Sequence, residues 1–214
     1  MDGRLILNLT DNDKSFYLRN GTKLYYEQLR EAYKDILGGA ERPYTYFAFV
    51  TLCAATLEAS LNFIIINHCL NKYGPEKFGQ YCDSYIGLRF RNKLNIIPSL
   101  LSDGKLMINE ANPSVKQLEM LISLRNRLLH NKETLETFEL PSLGCEIIDG
   151  NLVIPVANAN VEFQLQVKDN ALESIDKAMC LKFGEALGFF KKLIMDTAVG
   201  EEFAANEMIE ERSW

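Results

Sequence analysis

The chain has 214 residues, of which 47% are hydrophobic, so it can bury a core without needing a disulfide or a metal. Its net charge of −6 argues against a general nucleic-acid-binding surface. The charge is uneven, because residues 84–133 contain eight Lys and Arg against four Asp and Glu. Any anion site is therefore expected in the middle of the chain.

The five cysteines are an odd number and form no CxxC pair, which fits a reduced, cytoplasmic protein best. The first ten residues lack the pattern of a signal peptide. The only histidines are His68 and His130, so a Cys/His zinc site has little to draw on, and no metal or other cofactor is predicted. We interpret His68 as a packed or capping residue.

The first elements precede a long apolar helix. Residues 1–21 are expected to form an arm or a short strand around 4–9, and a helix then follows from Thr22, a possible cap, to Leu37. The next helix covers about Tyr44–Tyr73, where Glu58 is the only charge as far as Asn67. Polar side chains interrupt it too often for a typical membrane span, so we expect a helix buried in a bundle and no membrane partner.

A basic cluster lies on the helix predicted for about Ser84–Leu101, which Pro98 is expected to bend or end. Arg89, Arg91 and Lys93 interleave there with Phe90. Arg89 and Arg91 are candidates for substrate binding. The alternative, which short charge clusters favour, is an ordinary solvated helix face.

The segment 112–133 has the clearest pattern in the chain. Asn112 can cap a helix and Pro113 suits its first position. When the residues are placed around a helix at about 100° per residue, the apolar side chains form one arc, and Arg125 falls inside that arc. An arginine on such an arc needs a partner, because an unpaired buried charge is costly. The arc consists of Val115, Leu118, Leu121, Ile122, Leu124, Leu128 and Leu129.

The C-terminal third changes character. Asp149-Gly150 between two apolar runs predicts a two-residue hairpin, and residues 161–167 alternate as a half-buried strand does. Asn170 and Glu173 fit a capping box that opens a last helix to about Thr197. The acidic tail, 200–214, is interpreted as a frayed or peripheral helix.

Together these elements predict a mainly α fold. We expect a helical bundle of four to five core helices in up-and-down order, within residues 22–199. A small antiparallel β insertion at about 144–168 precedes the last helix.

The motif with the most chemical content is Arg125-Asn126-x-x-x-His130, since phosphate-loop, dinucleotide, zincin and nucleophile-elbow motifs are all missing. An R-N-x-x-x-H motif late in a helical domain, behind a long apolar helix with one acid, resembles the HEPN superfamily. The specific likeness rests on Arg125, Asn126 and His130, and the strands would be an insertion.

The resemblance implies several properties. HEPN domains typically dimerise with their motif helices facing each other. Many are metal-independent ribonucleases of toxin–antitoxin, abortive-infection and other defence systems, and others are inactive binding modules. It therefore implies a homodimer through the motif helix, RNA as a partner, and an antitoxin or nucleotidyltransferase as a further partner.

The residue types suit RNA cleavage without a metal. His130 can move a proton near neutral pH, Arg125 can clamp phosphate oxygens, and Asn126 can hold the phosphate or orient the imidazole. Arg127 and Lys132 are further substrate-binding candidates.

The alternative is that Arg125 pairs with Glu58 inside the bundle while His130 caps the helix end. An enzyme should place the motif in an open cleft. An inactive module should bury it against Glu58.

Overall fold

The computed structural model is mainly α, as the sequence predicts, with six helices and three small two-stranded antiparallel sheets among the residues that it describes. The described residues are 3–7, 15–19, 21–39, 42–129, 146–153, 171–172, 174–196 and 204–212. His130, Lys132, the predicted strand at 161–167 and the predicted capping box at Asn170 and Glu173 lie outside these ranges.

The N-terminal residues form strands β1 (Gly3–Leu7) and β2 (Ser15–Arg19), which pair antiparallel, so the prediction of a short strand is confirmed over an arm. Helix α1 covers Thr22–Leu37, the predicted range. Thr22 does not cap it, because Gly21 occupies the cap position and no side chain bonds there. Instead Thr22 is the first helical residue and is buried.

Helix α2 (Pro43–Tyr73) is the central element of the fold, and every other helix of the described chain packs against it. Gly74, with a φ of 76°, ends it at the predicted break. By length and composition alone, residues Tyr44–Tyr73 are apolar enough to cross a membrane, and 56% of the most apolar window is buried inside the protein. A helix at the centre of a bundle has this composition because its neighbours cover most of its faces.

The prediction of a single helix over residues 84–101 is wrong in one respect. The structure has two helices, α3 (Phe78–Ile86) and α4 (Phe90–Leu101), separated at residues 87–89. Arg89 is extended, with a ψ of 145°, so the chain changes direction there. Pro98 lies inside the last turn of α4 and does not end the helix at its own position, although it has no backbone N–H to donate to the carbonyl oxygen four residues earlier.

Helix α5 (Pro113–Leu129) begins as predicted: the Asn112 Oδ1 accepts hydrogen bonds from the backbone N–H groups of Ser114 at 2.8 Å and Val115 at 3.3 Å. Five residues of the predicted arc are buried on it, but Leu129 is 53% exposed and does not belong to the core. The five are Val115, Leu118, Leu121, Ile122 and Leu124.

The hairpin is confirmed, with β4 (Glu146–Ile148) and β5 (Asn151–Val153) pairing across Asp149-Gly150. Both turn residues have positive φ, 51° and 79°, as a type I′ turn requires. The last helix, α6 (Lys177–Asp196), starts later than predicted. Residues 171, 172 and 174 form turns, and the Asp176 carboxylate caps α6 by accepting from the Met179 N–H at 2.7 Å.

In the described part of the acidic tail, residues 204–212, only Ala204 is helical, so the prediction of a peripheral helix is wrong for the rest of this stretch. Residues Ile209–Glu211 form β6, which pairs antiparallel with β3 (Leu106–Ile108). Met208 and Ile209 are buried there, so two apolar residues hold the otherwise acidic segment to the body. Net charge misled the prediction, because alternate residues of a strand face opposite ways.

Candidate functional site

The side chain of Arg125 is only 29% exposed and has three supports. One terminal nitrogen lies 3.6 Å from the Glu58 Oε2, and the other donates a hydrogen bond to the Asn126 Oδ1 at 3.1 Å. The guanidinium carbon also lies 5.9 Å from the centroid of the Phe90 ring, in cation–π range. Glu58, the single acidic residue of α2, is therefore the partner expected for an arginine on an apolar arc.

Glu58 has a second cation on its other oxygen. The Lys93 Nζ lies 3.7 Å from the Glu58 Oε1 and donates a hydrogen bond to the Asn62 Oδ1 at 2.9 Å. The side chain of Lys93 is 5% exposed, whereas that of Glu58 is 36% exposed. Two cations therefore share one carboxylate where α2, α4 and α5 meet.

Lys93 corrects the interpretation of α4 as carrying a solvated basic face. It lies in the i, i+3, i+4 apolar row of Phe90, Leu94 and Ile97, all of which are buried. A charge in an apolar row is the same signal that singled out Arg125, so the sequence contained the information. The sequence interpretation missed Lys93 because its neighbours Arg89 and Arg91 suggested a surface cluster.

The other candidate substrate-binding residues are spread over α4 and α5. Arg89 is exposed immediately before α4, and Arg127 is exposed on α5. Arg91 is 61% exposed and forms an ion pair with Glu119, the closest approach being 2.7 Å. Binding of RNA phosphate to Arg91 would compete with that carboxylate.

Asn126 is exposed and lies four residues before His130 in the sequence, and His130 is outside the described residues. The arrangement falls between the two expectations from sequence: Arg125 is paired with Glu58 yet retains exposed surface, and Asn126 is not buried. Chemically, this part of the site presents the Arg125 guanidinium beside a carboxylate that it shares with Lys93, so two positive charges face one negative charge.

Other cavities lie away from the motif. A cleft of about 680 Å³ lies between parts of α1 and α6. Its lining residues include Tyr26, Tyr33, Gly184 and Lys191. No three His, Cys, Asp or Glu side chains of the described ranges come together as a metal site would need. Burial raises the pKa of Cys82 and of Cys180 to about 11, so both thiols are protonated and unreactive at neutral pH.

Comparisons with known proteins yield no relative. No family model matches the chain, and searches of curated proteins and of solved structures find no significant match.

Proposed function

We propose that this chain is a HEPN-like, metal-independent endoribonuclease whose reacting group is the RNA phosphodiester. The observation that supports this most is the state of Arg125, a guanidinium oriented by Glu58 and Asn126 while 29% of its side chain stays exposed. A cation fixed in this way is preorganised to bind phosphate oxygens, because little orientational freedom is lost when the anion arrives.

The proposed reaction needs no cofactor. The RNA 2′-hydroxyl attacks the adjacent phosphorus, the bond to the 5′-oxygen breaks, and the products are a 2′,3′-cyclic phosphate and a 5′-hydroxyl. His130 moves the proton, since an imidazole titrates near neutral pH. Arg125 binds the phosphate oxygens as negative charge builds, and Asn126 binds the phosphate or orients the imidazole.

Four further basic residues would extend the RNA-binding surface around this centre. Arg127 and Lys132 belong to the motif segment, and Arg89 and Arg91 come from the start of α4. Binding should weaken with added salt because phosphate contacts release counterions.

The proposal includes a homodimer in which the motif helices of two copies face each other and form one composite groove. The exposed Leu129 beside the motif suits such a contact, since a large apolar side chain on the surface gains from being covered. The cellular setting is proposed to be cytoplasmic, as part of a toxin–antitoxin or phage-defence system with an antitoxin or a nucleotidyltransferase as partner.

A second candidate is a catalytically inactive HEPN-like module that binds RNA, a nucleotide or a protein. The Arg125–Glu58 ion pair favours it, because a carboxylate on the guanidinium competes with a phosphate for the same donors.

The deciding experiment incubates the purified chain with a mixed RNA in EDTA and maps the ends. We expect wild type to leave cyclic phosphates and His130→Ala to cut about 10²–10⁴-fold more slowly, since it lacks the proton-transfer group. His68→Gln is the matched control, because it alters the only other histidine and should cut at the wild-type rate.

Three other outcomes are informative. RNA binding without cleavage would favour the inactive module over the enzyme. Equal cleavage by wild type and His130→Ala would contradict the role of the motif. Neither binding nor cleavage of RNA would reject the enzyme and the RNA-binding form of the module.

A further inference from the structure

Lys93 is the most deeply buried charge in the described part of the chain. Its ammonium is enclosed among α2, α4 and α5, and the two partners that it contacts, Glu58 and Asn62, are one turn apart on α2. Burying a lysine is costly, and a structural role alone would be served as well by an apolar side chain of similar volume. The reason for a charged residue at this position is therefore sought in the Glu58 carboxylate, which Lys93 contacts.

Lys93 and Arg125 are connected through a single carboxylate. The Oε1 of Glu58 faces the Lys93 ammonium at 3.7 Å and the Oε2 faces the Arg125 guanidinium at 3.6 Å. Because the two oxygens belong to one planar group, fixing the first also fixes the direction of the second. The 2.9 Å hydrogen bond to Asn62 in turn fixes the ammonium.

The same connection determines the charge available to a ligand. Glu58 alone would neutralise Arg125 and leave no net charge to attract a phosphate. With Lys93 present, two cations face one carboxylate, and the net charge is +1. Since Lys93 is buried and Arg125 is partly exposed, the ligand meets this charge at Arg125.

We propose that Lys93 is a positioning residue that acts through Glu58 to orient Arg125 and to leave it able to bind an anion. Its catalytic consequence rests on the proposed ribonuclease function. Its effect on Arg125 is a property of the fold and can be measured without RNA.

The first test uses nuclear magnetic resonance on the full chain, following the Arg125 Nε–Hε signal, which is assigned by its loss in Arg125→Lys. Lys93→Met should shift this signal by more than its linewidth, because Glu58 is then no longer fixed. Arg91→Met is the matched control: it removes the same charge two residues earlier on α4, at the surface, and should leave the signal in place.

The path through Glu58 is tested in a Glu58→Gln background, where Lys93→Met should no longer shift the signal. An unchanged signal in Lys93→Met alone, or an equal shift in the Glu58→Gln background, would overturn the proposal. If Lys93→Met does not fold, Asn62→Asp replaces it. The new carboxylate should draw the ammonium away from Glu58 and shift the Arg125 signal in the same way, and no shift would count against the proposal.

The second test separates positioning from simple charge loss in cleavage kinetics. Lys93→Met should lower kcat at saturating RNA at least tenfold, because a misdirected guanidinium fails in the transition state even when RNA is bound. Arg91→Met should raise KM and leave kcat unchanged. If the two variants raised KM equally and left kcat unchanged, Lys93 would contribute only positive charge and would not position Arg125.

The two proposals fail separately. If wild type does not cut RNA, the ribonuclease proposal fails, and the resonance experiment still decides whether Lys93 positions Arg125.

Discussion

At the residue scale, His68 on α2 is a half-buried titratable group outside the motif. Its Nε2 is buried and has no hydrogen-bond partner in the described part of the chain. Burial lowers the pKa of His68, the nearby Lys72 lowers it further, and Asp103 opposes them. The imidazole is therefore neutral in the folded protein at pH values where a free histidine is already protonated.

This makes stability depend on pH in a defined direction. As the pH falls below about 6.5, the unfolded chain takes up a proton at His68 before the folded chain does. The free energy of unfolding therefore declines from pH 7 downward, and this loss is complete below the folded pKa. His68→Gln should show a smaller loss between pH 7 and pH 5 than wild type, measured by urea unfolding.

The other histidine provides the comparison. His130→Gln leaves His68 unchanged and should therefore retain the part of the loss that His68 causes. If His68→Gln declined as steeply as wild type over this range, other groups would be responsible for the acid sensitivity.

At the element scale, α6 approaches α1 closely because Gly184 has no side chain. A Cβ at this position would lie 2.5 Å from two carbons of the Tyr33 ring, which itself contacts Phe49 of α2 with ring centroids 6.2 Å apart. Gly188, one turn later on α6, would meet nothing within 4 Å. Gly184 and Gly188, which lie one helical turn apart on α6, therefore have different roles.

These glycines give a matched pair of substitutions. Gly184→Ala should lower the free energy of unfolding by about 1–3 kcal/mol, because the ring of Tyr33 has to move. Gly188→Ala should raise it by about 0.5–1 kcal/mol, because alanine favours the helix and has space. Thermal and denaturant unfolding measure both, and stabilisation by Gly184→Ala would show that the helices adjust without cost.

The helices also show where local patterns suffice. The sequence located α1 and the start of α5 correctly, since glycines, prolines and the Asn112 cap act locally. It missed the break between α3 and α4, because the apolar rows of the two helices were given more weight than Gly87, the C-cap residue of α3. It placed the start of α6 too early for a similar reason: Asp176 is the cap that the packed helix uses.

At the scale of the whole molecule, β6 closes the fold by pairing with β3, about a hundred residues earlier in the chain. The Asn112 amide also donates to the Glu207 carbonyl oxygen at 3.1 Å, so the tail is tied to the start of the motif helix. The C-terminal segment therefore supports the element on which Arg125 lies.

Removing the buried apolar contact of β6 should destabilise the whole domain. Ile209→Ala is expected to lower the free energy of unfolding by about 2–5 kcal/mol, the usual cost of truncating a buried isoleucine. Glu210→Ala, at the exposed neighbouring position, should change it by less than about 0.5 kcal/mol. Guanidinium unfolding compares the two, and equal effects would mean that the β3–β6 pairing contributes little.

The sequence by itself determined the mainly α class, most helix ends and the hairpin turn, and it named Glu58 as a candidate partner for Arg125. These depend on residue types and on periodicity, which are properties of short stretches. The sequence also marked the segment of the proposed site, because a charge on an apolar row demands a partner wherever the helix packs.

Only the tertiary structure decided that Lys93 is buried, that Glu58 is shared between two cations, and that the acidic tail contributes a strand. Each of these depends on which helix faces which, and on residues that are distant in the chain. The physical reason is that burial belongs to the packed molecule. A basic residue next to others of its kind has the same local pattern at a surface and in a core, and the neighbours that distinguish the two come from other helices.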